Sequence, residues 1–441
     1  MTQERYIPAA TTCSYPARAG NLVRPMSDGT EIFRRIAEAI EAARHSVWLT
    51  IAFYADDFRF PDGRGALFEV LDRAVERGLD VRLLAWRCNP ETSHYGRQFS
   101  GSSADRAMLR ARGSRVRIRW DRTATVFCQH QKCWMIDAGR SSETAFVGGI
   151  NLSAESFRRQ DAYVEVTGPS ATDVHHNFVQ RWNEASERTA EDGNWACDAT
   201  DRLPFPHVAS EPRGPSIVQI QRMLHPGCYV DGQAAPGHGS FDVAGGERSI
   251  LEQYKRAIDA ARRTIYLENQ AIPIPEVATH LERALERGVE VVLLVPAIPE
   301  PYVYEARLDP AQQGRFDSLG ALGRYSNFLL VGIVGAEDRR PAYVHAKLMV
   351  IDDTWATIGS CNLHALSLSG HSEMNASIWD ESVARAFRCA LFAKHLGVDT
   401  ASLDDVAALH LYRQFAQENR GLVFALSPAA YARKPDEGGL T

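Results

Sequence analysis

Two octapeptides, His130-Gln-Lys132-Cys-Trp-Met-Ile-Asp137 and His345-Ala-Lys347-Leu-Met-Val-Ile-Asp352, repeat one pattern of charged and apolar residues. Each is followed by two small residues and an asparagine, as Gly148-Gly149-Ile150-Asn151 and as Gly359-Ser360-Cys361-Asn362. The chain of 441 residues holds 14 His, 27 Asp and 5 Lys. At that composition a His-x-Lys-x4-Asp arises by chance about 0.01 times, so two copies are not noise. Two of the five lysines stand in these motifs, although 44 of the 49 basic residues are arginine. A compact ammonium closes around one phosphoryl oxygen in a way that a planar guanidinium does not.

Outward from the octapeptides, the repetition extends to whole blocks. Ala39-Ile-Glu-Ala-Ala-Arg44 leads into Val47-Trp-Leu-Thr-Ile-Ala-Phe53, and Ala257-Ile-Asp-Ala-Ala-Arg262 leads into Ile265-Tyr-Leu-Glu268. Likewise Ala74-Val-Glu-Arg-Gly-Leu-Asp-Val81 has its counterpart in Ala284-Leu-Glu-Arg-Gly-Val-Glu-Val291. The chain therefore reads as a duplicated domain. Apolar residues at Ile32, Phe33, Ile36 and Ile40, and at Ile250, Leu251, Tyr254 and Ile258, have helical spacing. The Val/Leu/Ile runs after them read as buried strands. Alternating helix and strand argue for an α/β layer architecture in each half. A Pro/Gly-rich stretch from about Asp201 to Gly246 is expected to be the connection plus a long loop, with Ile217-Val-Gln-Ile220 as the first strand of the second half. The boundary is placed near Pro212, giving halves 1–211 and 212–441, the second with a helical C-terminal extension.

Composition limits the rest. A hydrophobic content of 45% with 24% charged residues supports a large core, and the net charge of −6 argues against a dedicated nucleic-acid partner. Eight cysteines without paired spacing read as reduced, mostly buried thiols. No transmembrane run or signal peptide is recognisable, so a cytoplasmic or peripheral membrane location is expected.

On an extended strand His130 and Lys132 share a face, as do His345 and Lys347. Asp137 and Asp352 have the opposite parity, which favours a structural task, capping a strand end or satisfying turn amides, over a chemical one. The residue types suit attack on a phosphodiester. Lys132, Lys347, Asn151 and Asn362 can bind nonbridging oxygens, and no metal or other cofactor is required. Two histidines can divide the labour, one as nucleophile and one as acid/base. Each needs an orienting carboxylate, and Asp161 and Glu373, at matching places after the small-residue pairs, are the candidates, against the alternative of surface carboxylates at strand starts.

Together these features resemble the phospholipase D superfamily, from about Ser27 to Gly397. The resemblance implies two α/β/α sandwich halves related by a pseudo-twofold axis and a single metal-independent site working through a phosphohistidine. It implies His130 as nucleophile, His345 as acid/base, and Gly148, Gly149, Gly359 and Ser360 as structural parts of the motif. Ile265-Tyr-Leu-Glu-Asn-Gln270 and Phe178-Val-Gln-Arg-Trp-Asn183 look like the phospholipase D enzymes and related phosphatidyltransferases. The leading expectation is hydrolysis of glycerophospholipids at a membrane surface to phosphatidic acid and head-group alcohol, by a monomer with water or an alcohol as acceptor. A cardiolipin-synthase-like transferase is the alternative, and a nuclease or a non-enzymatic lipid-binding protein ranks lower. His371, adjoining the second motif, is a candidate pocket residue, and His175-His176 are read as packing or solvated rather than metal-binding. Pro296 to Tyr304 is read as a packed loop rather than a lipid-meeting rim.

Overall fold

The computed structural model describes residues 6–433. The first half contributes strands β1 (Arg18–Met26), β2 (Ser46–Ile51), β3 (Asp80–Trp86), β4 (Arg117–Asp121), β5 (Lys132–Ile136), β6 (Thr144–Gly148) and β7 (Tyr163–Thr167). The second contributes β8 (Ser216–Leu224), β9 (Thr264–Asn269), β10 (Glu290–Leu294), β11 (Phe328–Ile333), β12 (Lys347–Ile351), β13 (Trp355–Gly359) and β14 (Glu373–Trp379). In space they run β4-β3-β2-β5-β6-β7-β1 and β11-β10-β9-β12-β13-β14-β8. The orders are the same. In each sheet three strands are parallel and the motif strand begins an antiparallel series, so the octapeptide falls where the sheet changes sense.

Side-chain alternation sets the layers. In β2, Val47, Leu49 and Ile51 face a core with Ile32, Phe33 and Ile36 of the helix Gly29–Ala42 and Leu71 of the helix Leu67–Glu76. Trp48 points to the other face, where it stacks on Phe178 of the helix Ala171–Glu184 at 5.1 Å. In β9, Ile265 and Leu267 meet Ile250, Tyr254 and Ile258 of the helix Ser249–Ala260, while Tyr266 packs edge-on against Phe392 of the helix Glu381–Leu396 at 5.0 Å. Each half is thus a sheet between helical layers. Burying each such Leu or Phe is worth about 1.5 to 3 kcal/mol.

The inner faces of both sheets share one core, in which Val147 and Val164 join Val218, Ile358 and Met374. Strand β1 ties the sheets together: Leu22 to Met26 pair with β7, and Arg18 and Asn21 pair with β8. Residues 6–14 lie on the second half, with Ala10 N donating to Gln219 and Gln253 and Trp379 Nε1 donating to Ile7 O. Packing therefore crosses the boundary near Pro212. The eight cysteines are unpaired, and among the described residues no helix is long and apolar enough to cross a membrane.

Candidate active site

His130 and His345 stand just before their strands, in extended segments that leave the sheet and pair with the opposite half. His130 N donates to Ser372 O at 2.9 Å, and Ser372 N to Cys128 O at 2.9 Å. Across the seam, His345 N donates to Gln160 O at 2.8 Å, and Gln160 N to Tyr343 O at 3.0 Å. Each histidine segment therefore runs alongside the residues that precede the other half's carboxylate.

The side chains cross in the same way. His130 Nδ1 lies 2.8 Å from Glu373 Oε2, and His345 Nδ1 lies 2.5 Å from Asp161 Oδ2. Each ring uses Nδ1 for its carboxylate, which fixes the ring plane and leaves Nε2 for a reacting group. Support for the carboxylates differs. Glu373 also accepts from Ser360 Oγ at 2.5 Å and Ser367 Oγ at 2.6 Å, whereas Asp161 also accepts from the amide of Ala162 at 2.8 Å.

Lys132 Nζ donates to His130 O at 2.8 Å. Lys347 Nζ donates to His345 O and, at 3.1 Å, to Gln270 Oε1. The side-chain oxygens Oδ1 of Asn151 and Asn362 are both buried without a hydrogen-bond partner, a matched pair of unmet acceptors. Gly149 sits where the halves touch: a Cβ there would lie 2.7 Å from Asp161 Oδ1 and 3.1 Å from Lys347 Cδ and Gly359 O. At Gly359 it would strike Asn375 Oδ1 and Met374 O. Gly149 thus permits the seam to close, whereas Gly359 lets its strand lie against Asn375 of the same sheet.

Asp137 and Asp352 point away from it. Asp137 accepts from the amides of Arg44, His45 and Ser46 and from Ser142 Oγ. Asp352 accepts from the amides of Arg262, Arg263 and Thr264 and from Tyr6 OH. They cap the starts of β2 and β9.

Burial dominates the electrostatics. It pushes both imidazoles well below their ordinary range, helped by Lys132 and Lys347, and pushes the carboxyl of Asp161 up to about 6 and that of Glu373 upward. Burial also lowers Lys132 to about 8 and Lys347 to about 7. The site is a desolvated cluster of cation-forming groups, which an anion entering it would stabilise in their charged forms.

Residues beyond the motifs complete the walls. His371 accepts from Cys128 N through Nδ1 and lies 5.9 Å from the His130 ring between centroids. Phe53 lies 6.1 Å from that ring and 5.8 Å from Lys132 Nζ. Near His345 stand Tyr343, at 6.1 Å ring to ring, and Gln270, bonded to Tyr343 OH at 2.8 Å. Ser367, Gln160, Gln270 and Tyr343 carry no repeat signature, and Phe53 ends its repeated block opposite Ala271, with no aromatic counterpart. For Ser367 the available signal was its place in the Ser-rich run between Asn362 and Glu373. His175 and His176 are both buried, His175 on Glu143 at 2.9 Å and His176 on Tyr15 OH at 3.3 Å. The segment from Pro296 leads into a helix, Pro301–Leu308, with Ile298 and Tyr302 exposed.

Two like halves closed on one seam define a class of single-chain proteins that build one centre from a duplicated domain. The chain belongs to the phospholipid-modifying phospholipase D superfamily: the family model described as "Cardiolipin synthase, PLD-like domain" matches residues 36–182 and 254–394. Its relatives include cardiolipin synthase B of Salmonella typhi, 27% identical over 381 residues that span 84% of this chain and 79% of the relative. Cardiolipin synthase 1 of Staphylococcus epidermidis is 24% identical over 384 residues, spanning 84% of this chain and 67% of the relative. Among solved structures, phosphatidylserine synthase of Haemophilus influenzae Rd KW20 superimposes with a TM-score of 0.58 at 13% identity, covering 92% of this chain and 95% of that one. That last likeness is one of fold.

Proposed function

We propose that the protein is a phosphatidyltransferase that moves the phosphatidyl group of a glycerophospholipid to an alcohol, with phosphatidylglycerol as both donor and acceptor in the manner of a cardiolipin synthase. The observation that carries this reading is the crossed pair of histidine–carboxylate contacts, His130 with Glu373 and His345 with Asp161. The names of the relatives favour transfer over hydrolysis to phosphatidic acid, reversing the order of the two expectations from the sequence. Hydrolysis is the same chemistry with water as acceptor.

In this reading Nε2 of neutral His130 attacks phosphorus, and the bond to the head-group oxygen breaks. Protonated His345 gives its Nε2 proton to that oxygen, so the alcohol leaves neutral and a phosphohistidine remains. An acceptor hydroxyl then takes the vacated place, loses its proton to His345 and attacks phosphorus, restoring both histidines. Lys132, Lys347 and the side chains of Asn151 and Asn362 hold the nonbridging oxygens, where charge gathers in each transition state. The desolvated imidazole of His130 suits a nucleophile that must be neutral, and the phosphate's charge helps His345 hold its proton. His130 is the ring whose carboxylate has the additional hydroxyl bonds, which favours it as the group held in line through a covalent intermediate. The whole set lies in one chain, so a monomer working at a membrane surface suffices.

The test is incubation with mixed phospholipids, with and without ethanol, followed by mass spectrometry. Cardiolipin and glycerol from phosphatidylglycerol, and phosphatidylethanol when ethanol is present, are expected. Absence of any phosphatidyl transfer overturns the proposal.

A further inference from the structure

The pseudo-symmetry that aligns the motifs fails in the walls. Gln270 occupies the place that buried Ala52 holds in the first half, and half-buried Tyr343 the place of buried Cys128. Arg159, two residues before Asp161, stands opposite His371, two residues before Glu373. On the His345 side these residues form a chain. Lys347 Nζ donates to Gln270 Oε1 at 3.1 Å, Gln270 Nε2 donates to Tyr343 OH at 2.8 Å, and Tyr343 OH donates to Glu300 Oε1 at 2.5 Å. The guanidinium of Arg159 covers the Tyr343 ring at 4.9 Å. Gln270, Tyr343, Glu300 and Arg159 are each partly open to solvent, so the chain leads from the buried centre toward solvent.

We propose that Gln270, Tyr343 and Glu300 form a subsite for an uncharged polyhydroxy alcohol, which reads the leaving and accepting alcohol through its hydroxyls beyond the reacting one. The inference rests on the transferase reading above. Displacement by His130 sends the leaving oxygen to the opposite side of phosphorus, toward His345, and the acceptor must enter by the same side. Whatever lies around His345 therefore meets the alcohol in both steps. An amide and a carboxylate oxygen supply acceptors and donors for additional hydroxyls, which a monohydric alcohol lacks. Ammonium-bearing alcohols are disfavoured, because Lys347, Arg159 and Lys132 all act on the His345 ring as positive charges, while Asp161 is engaged by His345 and the amide of Ala162 and Glu300 by Tyr343 OH. One of the two faces of Tyr343 that a cation could use is already taken by Arg159.

The experiment measures kcat/KM for transfer from one donor lipid to glycerol, ethanol and ethanolamine, in the full-length protein and in its Glu300→Gln and Tyr343→Phe variants. Glycerol is expected to be the best acceptor of the wild type. Each variant is expected to lower the glycerol-to-ethanol ratio about tenfold, the effect of one hydrogen bond to a charged group. A ratio unchanged in both variants, or equal losses with both alcohols, overturns the subsite while leaving the transferase intact. Preference of the wild type for ethanolamine overturns it too. A wild type that transfers to none of the three overturns the transferase reading, and the subsite with it.

Discussion

Around His130 the pocket is walled by rings, Phe53 and His371 among them; around His345 it is walled by Gln270, Tyr343 and Arg159. The reacting groups themselves are matched, histidine for histidine and lysine for lysine. On the proposed transfer, the difference teaches that the two halves keep alike what attack on phosphorus would require, which is symmetric about the in-line axis, and differ in what the two ends of the substrate would meet.

The sharpest way to break that comparison is to remove each histidine in turn. His130→Ala and His345→Ala are each expected to lower phosphatidyl transfer by about 10⁴-fold or more. They should differ with a phosphatidyl ester of a phenol acidic enough to leave without a proton. His345→Ala is then expected to release phenol in a burst and retain a phosphohistidine visible by intact mass, whereas His130→Ala forms none. The reverse pattern would exchange the two roles.

Next in size is the crossing. Glu373→Gln and Asp161→Asn are each expected to cost about 10³-fold in kcat, since a neutral amide no longer stabilises the imidazolium or fixes the tautomer. Because the pairs cross, Glu373→Gln should alter the Nδ1 proton resonance of His130 and spare that of His345, and Asp161→Asn the converse. Perturbation within the same half would contradict the seam.

The repeated octapeptides made the duplication, the layer order and the matched site residues legible, because each depends on local pattern and periodicity. Parity along a strand placed His130 with Lys132 and set Asp137 apart. What the pattern did not carry was which carboxylate serves which histidine. That follows from the lead-in segments 128–130 and 343–345 leaving their sheets to pair with Ser372 and Gln160, a long-range contact with no local signature. The wall residues were illegible for the opposite reason: Gln270, Tyr343 and Arg159 matter because they break the repeat, and a search for likeness passes over them.

A smaller effect tests the charge of the lysines. With the site empty, burial holds Lys347 near pKa about 7 and Lys132 near about 8, so both are partly neutral at pH 7.5. A bound phosphate favours the ammonium forms, so on binding at that pH these two groups should together take up about one proton from solvent. Calorimetry of inorganic phosphate in buffers of different ionisation heat reads this uptake. It should shrink toward pH 6, where both lysines are already charged, and in Lys347→Arg, whose guanidinium keeps its proton. The apparent affinity falls as pH rises through the same range.

The capping aspartates supply the mildest comparison, one of stability. Asp137→Ala strips acceptors from the amides of Arg44, His45 and Ser46, and Asp352→Ala from those of Arg262, Arg263 and Thr264. Each is expected to cost about 2 to 4 kcal/mol in denaturant unfolding. Both residues have positive φ, 52° and 53°, which asparagine tolerates better than alanine, so Asp→Asn at either position should recover part of the loss. Burial alone would raise the Asp137 carboxyl, but Ser142 Oγ and the three amides outweigh it and hold the group below its ordinary range. A carboxyl lowered on folding stabilises the protein above its unfolded pKa, and that contribution disappears as pH falls through the folded value. The gap between wild type and Asp137→Ala should therefore narrow below about pH 4. Transfer activity, measured where each variant remains folded, should fall far less than in the histidine variants; an equal fall would assign these aspartates to the chemistry instead of to the strand starts.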